Sequence, residues 1–202
     1  MPDAEISLVW KTLDPVTSQF GLKYHPDAKI SENTLYDLIL VPGGFECARL
    51  MIDPEILTWL QEQAESAEYI TSVCTGSLVL AAAGLLNGYD AGCHWAWAKH
   101  LKKFGANPTR ERVVVDRNRI TAGGVTSGID FGLEIVERRY GRDLAEQIIL
   151  GIEYDPQPIS GGVPETARPE TVDRAKNRIA NLNKAGDFIS MIDEAAYKLS
   201  KV

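Results

Sequence analysis

The chain has three cysteines, Cys47, Cys74 and Cys93, and only Cys74 sits where nucleophilic chemistry would place one. It follows the β-forming stretch 69–73 and precedes Thr75-Gly76-Ser77 and the apolar run 78–86. A strand that turns into a helix through small residues is the pattern of a nucleophile elbow, where the bend strains the backbone and excludes bulky neighbours. The helix start offers unpaired N–H groups and a partial positive charge, so the sequence predicts a Cys74 thiol largely ionised at neutral pH. An anion formed on substrate there needs N–H donors aimed at it. Thr75 N–H is one expected donor. Gly44 N–H, beside Gly43 at the end of the apolar run 36–41, is the second.

The remaining reactive types are assigned quieter roles. Cys47 is expected to be a cleft or interface residue and Cys93 a core residue. His94, next to Trp95, could act as a base, but a packed, hydrogen-bonded ring is the expectation. His100 among Lys99, Lys102 and Lys103 is expected to be solvated, and His25 lies in a loop. Asp130 and Glu134 share a helix face and are read as cap and ion-pair residues. Gly123-Gly124 lacks the Gly-Lys-Ser/Thr of a phosphate loop.

These residues need elements to hold them. Stretches 5–10, 36–41 and 69–73 read as strands, and 112–116 with 119–121 as a hairpin turning at Arg117-Asn118. Residues 54–66 read as a helix capped by Asp53, followed by helices over 78–86, 95–104, 129–140 and 144–150. Alternating strands and helices predict an α/β fold with a mostly parallel sheet, whose ligands bind at the carboxyl ends of the strands. Both Gly43-Gly44 and Cys74 sit at such ends. Residues 155–169 hold four prolines and read as an extended tail. The expected organisation is one α/β domain over 1–169 and a helical extension over 170–202.

Composition narrows the function. The 202 residues carry 21 Lys and Arg against 28 Asp and Glu, a formal charge of −7. That acidity argues against nucleic acid or anionic lipid as the main partner, since both select cationic surfaces. No apolar run approaches the ~20 residues that span a bilayer. Three irregularly spaced cysteines make neither a disulfide framework nor a zinc site, so a reducing, cytoplasmic setting is expected.

Val41-Pro42-Gly43-Gly44, Thr71-Ser72-Val73-Cys74-Thr75-Gly76-Ser77, His94-Trp95 and Thr121-Ala122-Gly123-Gly124-Val125-Thr126-Ser127-Gly128-Ile129-Asp130 together resemble the PfpI-like branch of the class I glutamine amidotransferase-like superfamily. The likeness leans toward its isocyanide-hydrating members and runs from about residue 1 to about 167. It implies a flavodoxin-like three-layer sandwich and a homodimer with active sites near the interface. It implies hydration of an isocyanide to an N-substituted formamide, with no metal or organic cofactor. Carried onto this chain, Cys74 would attack the terminal carbon and Thr75 would position substrate or water. Gly43 and Gly44 would line the anion site, and residues 123–129, with Gly123 and Val125, would pack beside the sulfur. The branch also places a strand and an acid-bearing loop ahead of the part that residues 1–3 match. Two unpaired sheet edges are therefore expected here, with the general acid unassigned. Two other readings stay open: a glyoxalase or deglycase type of cysteine enzyme, against which Thr75 after Cys74 weighs, and a non-enzymatic redox- or ligand-sensing dimer.

Overall fold

The computed structural model describes residues 4–18, 20–182 and 185–201. Four two-residue strands open the chain: β1 (Val9–Trp10), β2 (Val16–Thr17), β3 (Lys23–Tyr24) and β4 (Ala28–Lys29). β2 and β3 form a hairpin, and β1 runs parallel to β4. The β-branched and apolar runs then supply β5 (Leu38–Val41) and β6 (Tyr69–Val73). A short parallel pair, β7 (Asp90–Ala91) and β8 (Asn107–Pro108), precedes β9 (Val113–Asp116) and β10 (Arg119–Ala122). The central sheet has the order β5-β6-β10-β9, parallel across the first three and antiparallel at the β10–β9 hairpin. Its register sets Val41 opposite Ser72 and Val73 opposite Ala122. The strand ends on either side of Cys74 are thereby aligned.

The helices are α1 (Pro54–Ala64), α2 (Gly76–Ala82), α3 (Ser127–Tyr140), α4 (Arg142–Gly151), α5 (Pro169–Ala180) and α6 (Ala185–Leu199). Asp53 caps α1 as expected, its carboxylate accepting from Ile56 N–H at 3.4 Å, with Pro54 at the first position where no N–H is needed. Strand alternation sends Ile39, Val41 and Ile70 to the face covered by α1, α2 and the 3₁₀ segment Glu46–Ile52, where Met51, Leu60, Leu78 and Leu80 complete the main core. Tyr69, Val73, Val113 and Val115 pack with Phe131 and Ile135 of α3, on which α4 lies. Helix, sheet and helix make the three layers of an α/β sandwich.

Among the described residues the outer edge of β5 has no strand partner, and the β1–β4 ladder stands apart from the central sheet. Leu40 of β5 is half exposed.

Three expectations about the helices are met to different degrees. Residues 95–104 do not form an α-helix; a 3₁₀ segment over Ala98–Phe104 ends at Gly105, which takes φ 76°. The helical run over 78–86, expected to close near Gly84 or Gly88, closes at the first of these: α2 stops at Ala82 and Gly84 turns the chain at φ 78°. In the C-terminal stretch α5 sets only the partly buried Ile179 against the main core, whereas α6 drives Phe188, Ile192 and Ala195 into it. Those three residues form one narrow stripe at spacings of four and three, easily diluted by polar neighbours in a window average. The Phe188 ring lies 4.4 Å from that of Trp97 and 6.0 Å from that of Phe45, the residue after Gly44.

Candidate active site

Cys74 adopts φ 63°, a left-handed conformation costing a non-glycine residue about 1–3 kcal/mol. The surroundings hold it there. Its N–H donates to the Ala122 carbonyl at 3.0 Å, anchoring the bend to the end of β10. A Cβ on Gly76 would run into the Val41 carbonyl, so only glycine lets α2 start against the end of β5. A Cβ on Gly43 would lie 2.7 Å from both Cys74 Cβ and Thr75 N, so the Pro42–Gly44 loop crosses directly over the elbow. Beneath it runs a buried hydroxyl chain. Ser77 Oγ donates to the Gly92 carbonyl at 2.6 Å, which leaves Ser72 Oγ to donate to Ser77 Oγ at 2.8 Å. Gly92 N–H in turn reaches Thr121 Oγ1 at 2.7 Å. These bonds lock β6, α2, β10 and the segment leading to His94 into one unit.

Thr75 joins the elbow to the loop. Gly44 N–H donates to Thr75 Oγ1 at 2.9 Å, and the Thr75 hydroxyl is 3.2 Å from the Gly44 carbonyl. Gly44 N–H, expected to face an anion, is therefore turned onto the threonine. Of the groups that act on the Cys74 thiol, Thr75 lowers its pKa through its N–H and its hydroxyl, against the larger effect of burial. Cys47 completes the group. Its Sγ is 2.8 Å from the Gly44 carbonyl and 3.2 Å from Thr75 Oγ1. Sequence reasoning made Cys47 a cleft or interface residue and missed this bond pattern; its only sequence signal is its position three residues after Gly44.

The thiols do not titrate as the helix-start argument anticipates. Burial pushes Cys74 above its ordinary value, opposed by the two Thr75 hydrogen bonds. The reason is burial: desolvation of the thiol outweighs what the start of α2 offers its anion. Among the described residues no carboxylate or imidazole figures with the groups acting on that sulfur. Burial raises Cys47 to about 11 and drives Cys93 well above the usual thiol range, so both stay protonated at neutral pH.

His94 accepts from Ala96 N–H at 3.3 Å through Nδ1 and stacks on Trp95; burial and Arg110 lower its pKa. His100 is not solvated as expected. It is 7% exposed and lies against Trp97, with burial lowering its pKa and Lys103 and Lys99 adding to the effect. Asp130 and Glu134 are ion-pair residues, to Arg112 and Arg138, both at 2.6 Å. Asp130 also accepts from Tyr154 Oη at 3.0 Å, tying the end of α4 to the start of α3. Gly123 follows Ala122, and its N–H donates to the Arg112 carbonyl at 3.0 Å. A Cβ on Gly124 would meet His94 Cδ2 at 3.4 Å. Val125 is 81% exposed, so within one chain it covers nothing. Among the described residues no group of three or more His, Cys, Asp or Glu could hold a metal ion, and no helix is long and apolar enough to cross a membrane.

A mostly parallel α/β sandwich with a strained cysteine at a strand–helix elbow, crossed by a glycine loop, defines a class of cysteine-elbow proteins. Residues 2–138 match the DJ-1/PfpI family, and the chain belongs to it. It is 44% identical to isonitrile hydratase of Pseudomonas putida over 201 residues, 99% of this chain and 87% of that protein. A crystal structure of a ThiJ/PfpI family protein from Pseudomonas syringae superposes with a TM-score of 0.87 at 40% identity, covering 95% of this chain and 78% of that one. The HTH-type transcriptional regulator GbdR of Pseudomonas aeruginosa is 36% identical over 145 residues, 69% of this chain but 39% of the regulator.

Proposed function

We propose that the protein hydrates isocyanides to N-substituted formamides through a covalent thioimidate on Cys74. The observation that carries this reading is the Cys74 elbow at φ 63° beneath Gly43, in a chain 44% identical to isonitrile hydratase along nearly its whole length. The deprotonated sulfur forms a bond to the terminal carbon of R–N≡C. That carbon takes up a proton, giving R–N=CH–S. Water adds to the same carbon, its oxygen bonding there and one of its protons going to the nitrogen; the C–S bond then breaks with its electron pair returning to sulfur as the hydroxyl releases its proton, which replaces the one the carbon took up. One isocyanide and one water give one formamide, and no electrons are exchanged. Thr75 N–H is the donor for charge developing beside the sulfur, and pre-aimed donors of this kind are worth about 10²–10³ in rate.

We also assign a homodimer. Val125 and Ile129 at the start of α3 and Leu150 and Ile152 at the end of α4 are exposed apolar residues at one end of the α3–α4 pair, held together by the Tyr154–Asp130 bond. Sedimentation at micromolar concentration is expected to give a dimer, and a folded monomer would overturn the assignment.

Turnover is tested by following formamide formation from an aryl isocyanide in the ultraviolet. Cys74→Ala is expected to reduce it to background. Full turnover in Cys74→Ala would remove the covalent mechanism. Consumption of methylglyoxal with no action on any isocyanide would give the site to the glyoxalase reading.

A further inference from the structure

The glycine loop over Cys74 has no side chain by which it could be packed in place. Gly43 lies on the elbow, while a Cβ on Gly44, at φ 149°, would meet nothing within 4 Å. Two adjacent glycines leave the backbone free to pivot, so the height of the loop is set by its two ends. The leading end leaves β5, whose Val41 is paired with Ser72 of β6. The trailing end is Phe45, from which the 3₁₀ segment Glu46–Ile52 runs on with no side-chain cap at its start. Three contacts tie this end to the elbow, and all meet at Thr75 Oγ1: Gly44 N–H at 2.9 Å, the Gly44 carbonyl at 3.2 Å and Cys47 Sγ at 3.2 Å. The bond from Cys47 Sγ to the Gly44 carbonyl at 2.8 Å is internal to the stretch. A hold confined to one hydroxyl needs a seat behind it. At the far end of the segment Met51 is that seat, in the main core. At the near end three rings provide it. Phe45 lies edge-on to Trp97, at 6.1 Å and 87°, and edge-on to Phe188 of α6, at 6.0 Å and 85°. Trp97 and Phe188 are buried fixtures, 4.4 Å apart, whereas Phe45 is only partly buried. Trp97 also belongs to the other wall of the site, since its N–H donates to the His94 carbonyl at 2.9 Å.

We propose that Phe45, clasped between Trp97 and Phe188, is the positioning residue that holds the glycine loop down on Cys74, so that α6 acts on the site from behind through Phe188. An edge-to-face ring pair shifts an equilibrium by about two- to twelvefold beyond the area it buries. Losing the Phe45–Phe188 pair therefore moves the balance between a seated and a lifted loop by about that factor. A lifted loop carries Gly43 off the elbow and uncovers the Cys74 sulfur to small reagents. A plain loss of stability in a protein that stays folded does not.

The inference deepens the reading of Cys74 as nucleophile, but its test does not require the isocyanide reaction. Limiting iodoacetamide at pH 7, read by mass spectrometry, gives the labelling rates of Cys74 and of Cys93, which is buried in the main core and reports global unfolding. Phe188→Leu is expected to label at Cys74 about two- to twelvefold faster, with Cys93 still unlabelled. Phe45→Leu is expected to match or exceed that, and Phe188→Leu on its background to add no further rise, because the shared contact is gone. Phe45→Tyr keeps the ring and is expected to label as the unmodified protein does. Ile192→Val thins the same α6 stripe without removing a ring, and is expected to lower Tm with Cys74 labelling unmoved. Unchanged labelling in either leucine variant, full additivity of the two, or a Phe45→Tyr protein as fast as Phe45→Leu would each overturn the proposal. So would an equal rise in Ile192→Val, or Cys93 labelling in step with Cys74. Should Phe188→Leu not fold, Phe45→Leu, at a partly exposed position, decides alone. Inactivity of the unmodified protein on isocyanides with this labelling pattern intact would count against the substrate and not against Phe45.

Discussion

Gly43→Ala is the sharpest perturbation of the site, because the added methyl meets a backbone nitrogen and a Cβ, neither of which can swing away. It would lie 2.7 Å from Thr75 N, 2.7 Å from Cys74 Cβ and 2.9 Å from Thr75 Oγ1. Cys74 is pinned by its 3.0 Å bond to Ala122, so the elbow cannot retreat and the Pro42–Gly44 loop must lift. Overpacking of this kind costs about 1–3 kcal/mol. In a domain of this size that lowers Tm by about 2–12 °C. The lifted loop also loses the 2.9 Å Gly44–Thr75 bond, so Thr75 no longer holds its place beside the sulfur. Turnover of an aryl isocyanide is expected to fall by about 10²-fold, the order associated with losing one aimed donor. Gly124→Ala is the control: its methyl would meet only His94 Cδ2 at 3.4 Å, and it is expected to change Tm little. Differential scanning calorimetry and the formamide assay read both effects. A Gly43→Ala protein with unchanged Tm and turnover would refute the close crossing of loop and elbow.

Three further outcomes are expected. Limiting iodoacetamide at neutral pH should label Cys74 before Cys47 and Cys93, since those two are buried and held protonated; equal labelling of all three would count against the elbow as the reactive centre. Phe188→Ala empties the position against Trp97 and Phe45 and should destabilise by about 3–5 kcal/mol, measured by urea unfolding; a loss below 1 kcal/mol would mean that α6 is not part of the core. His94 and His100 both have lowered folded-state pKa values, so the unfolded chain binds protons first; stability is fully present above about pH 6.5 and is lost as pH falls through the folded values. Thermal melts from pH 7.5 to 5 should show that fall, lessened in His100→Gln; an equal fall in that variant would remove His100 from the account.

The sequence alone determined the alternation of strands and helices and the position of the elbow cysteine. Both are local properties: β-forming residues 69–73, the small residues 75–77 and the apolar run behind them dictate strand, bend and helix without help from distant parts of the chain. Asp53-Pro54 and Arg117-Asn118 were legible for the same reason, since a cap and a hairpin turn are decided within four residues. Only the tertiary structure decided how the site is wired. Gly44 N–H turns onto Thr75, Cys47 reaches Gly44, and α6 closes behind Phe45, across separations of up to 143 residues between Phe45 and Phe188. The thiol's ionisation was also a tertiary matter, because the local helix start favours the anion while burial by the whole fold opposes it. His100 shows the same limit: three lysines beside it in sequence suggest solvent, yet the 3₁₀ turn rotates the ring inward against Trp97. Sequence neighbours specify what a segment can form, and desolvation and hydrogen-bond partners depend on what the rest of the chain packs against it.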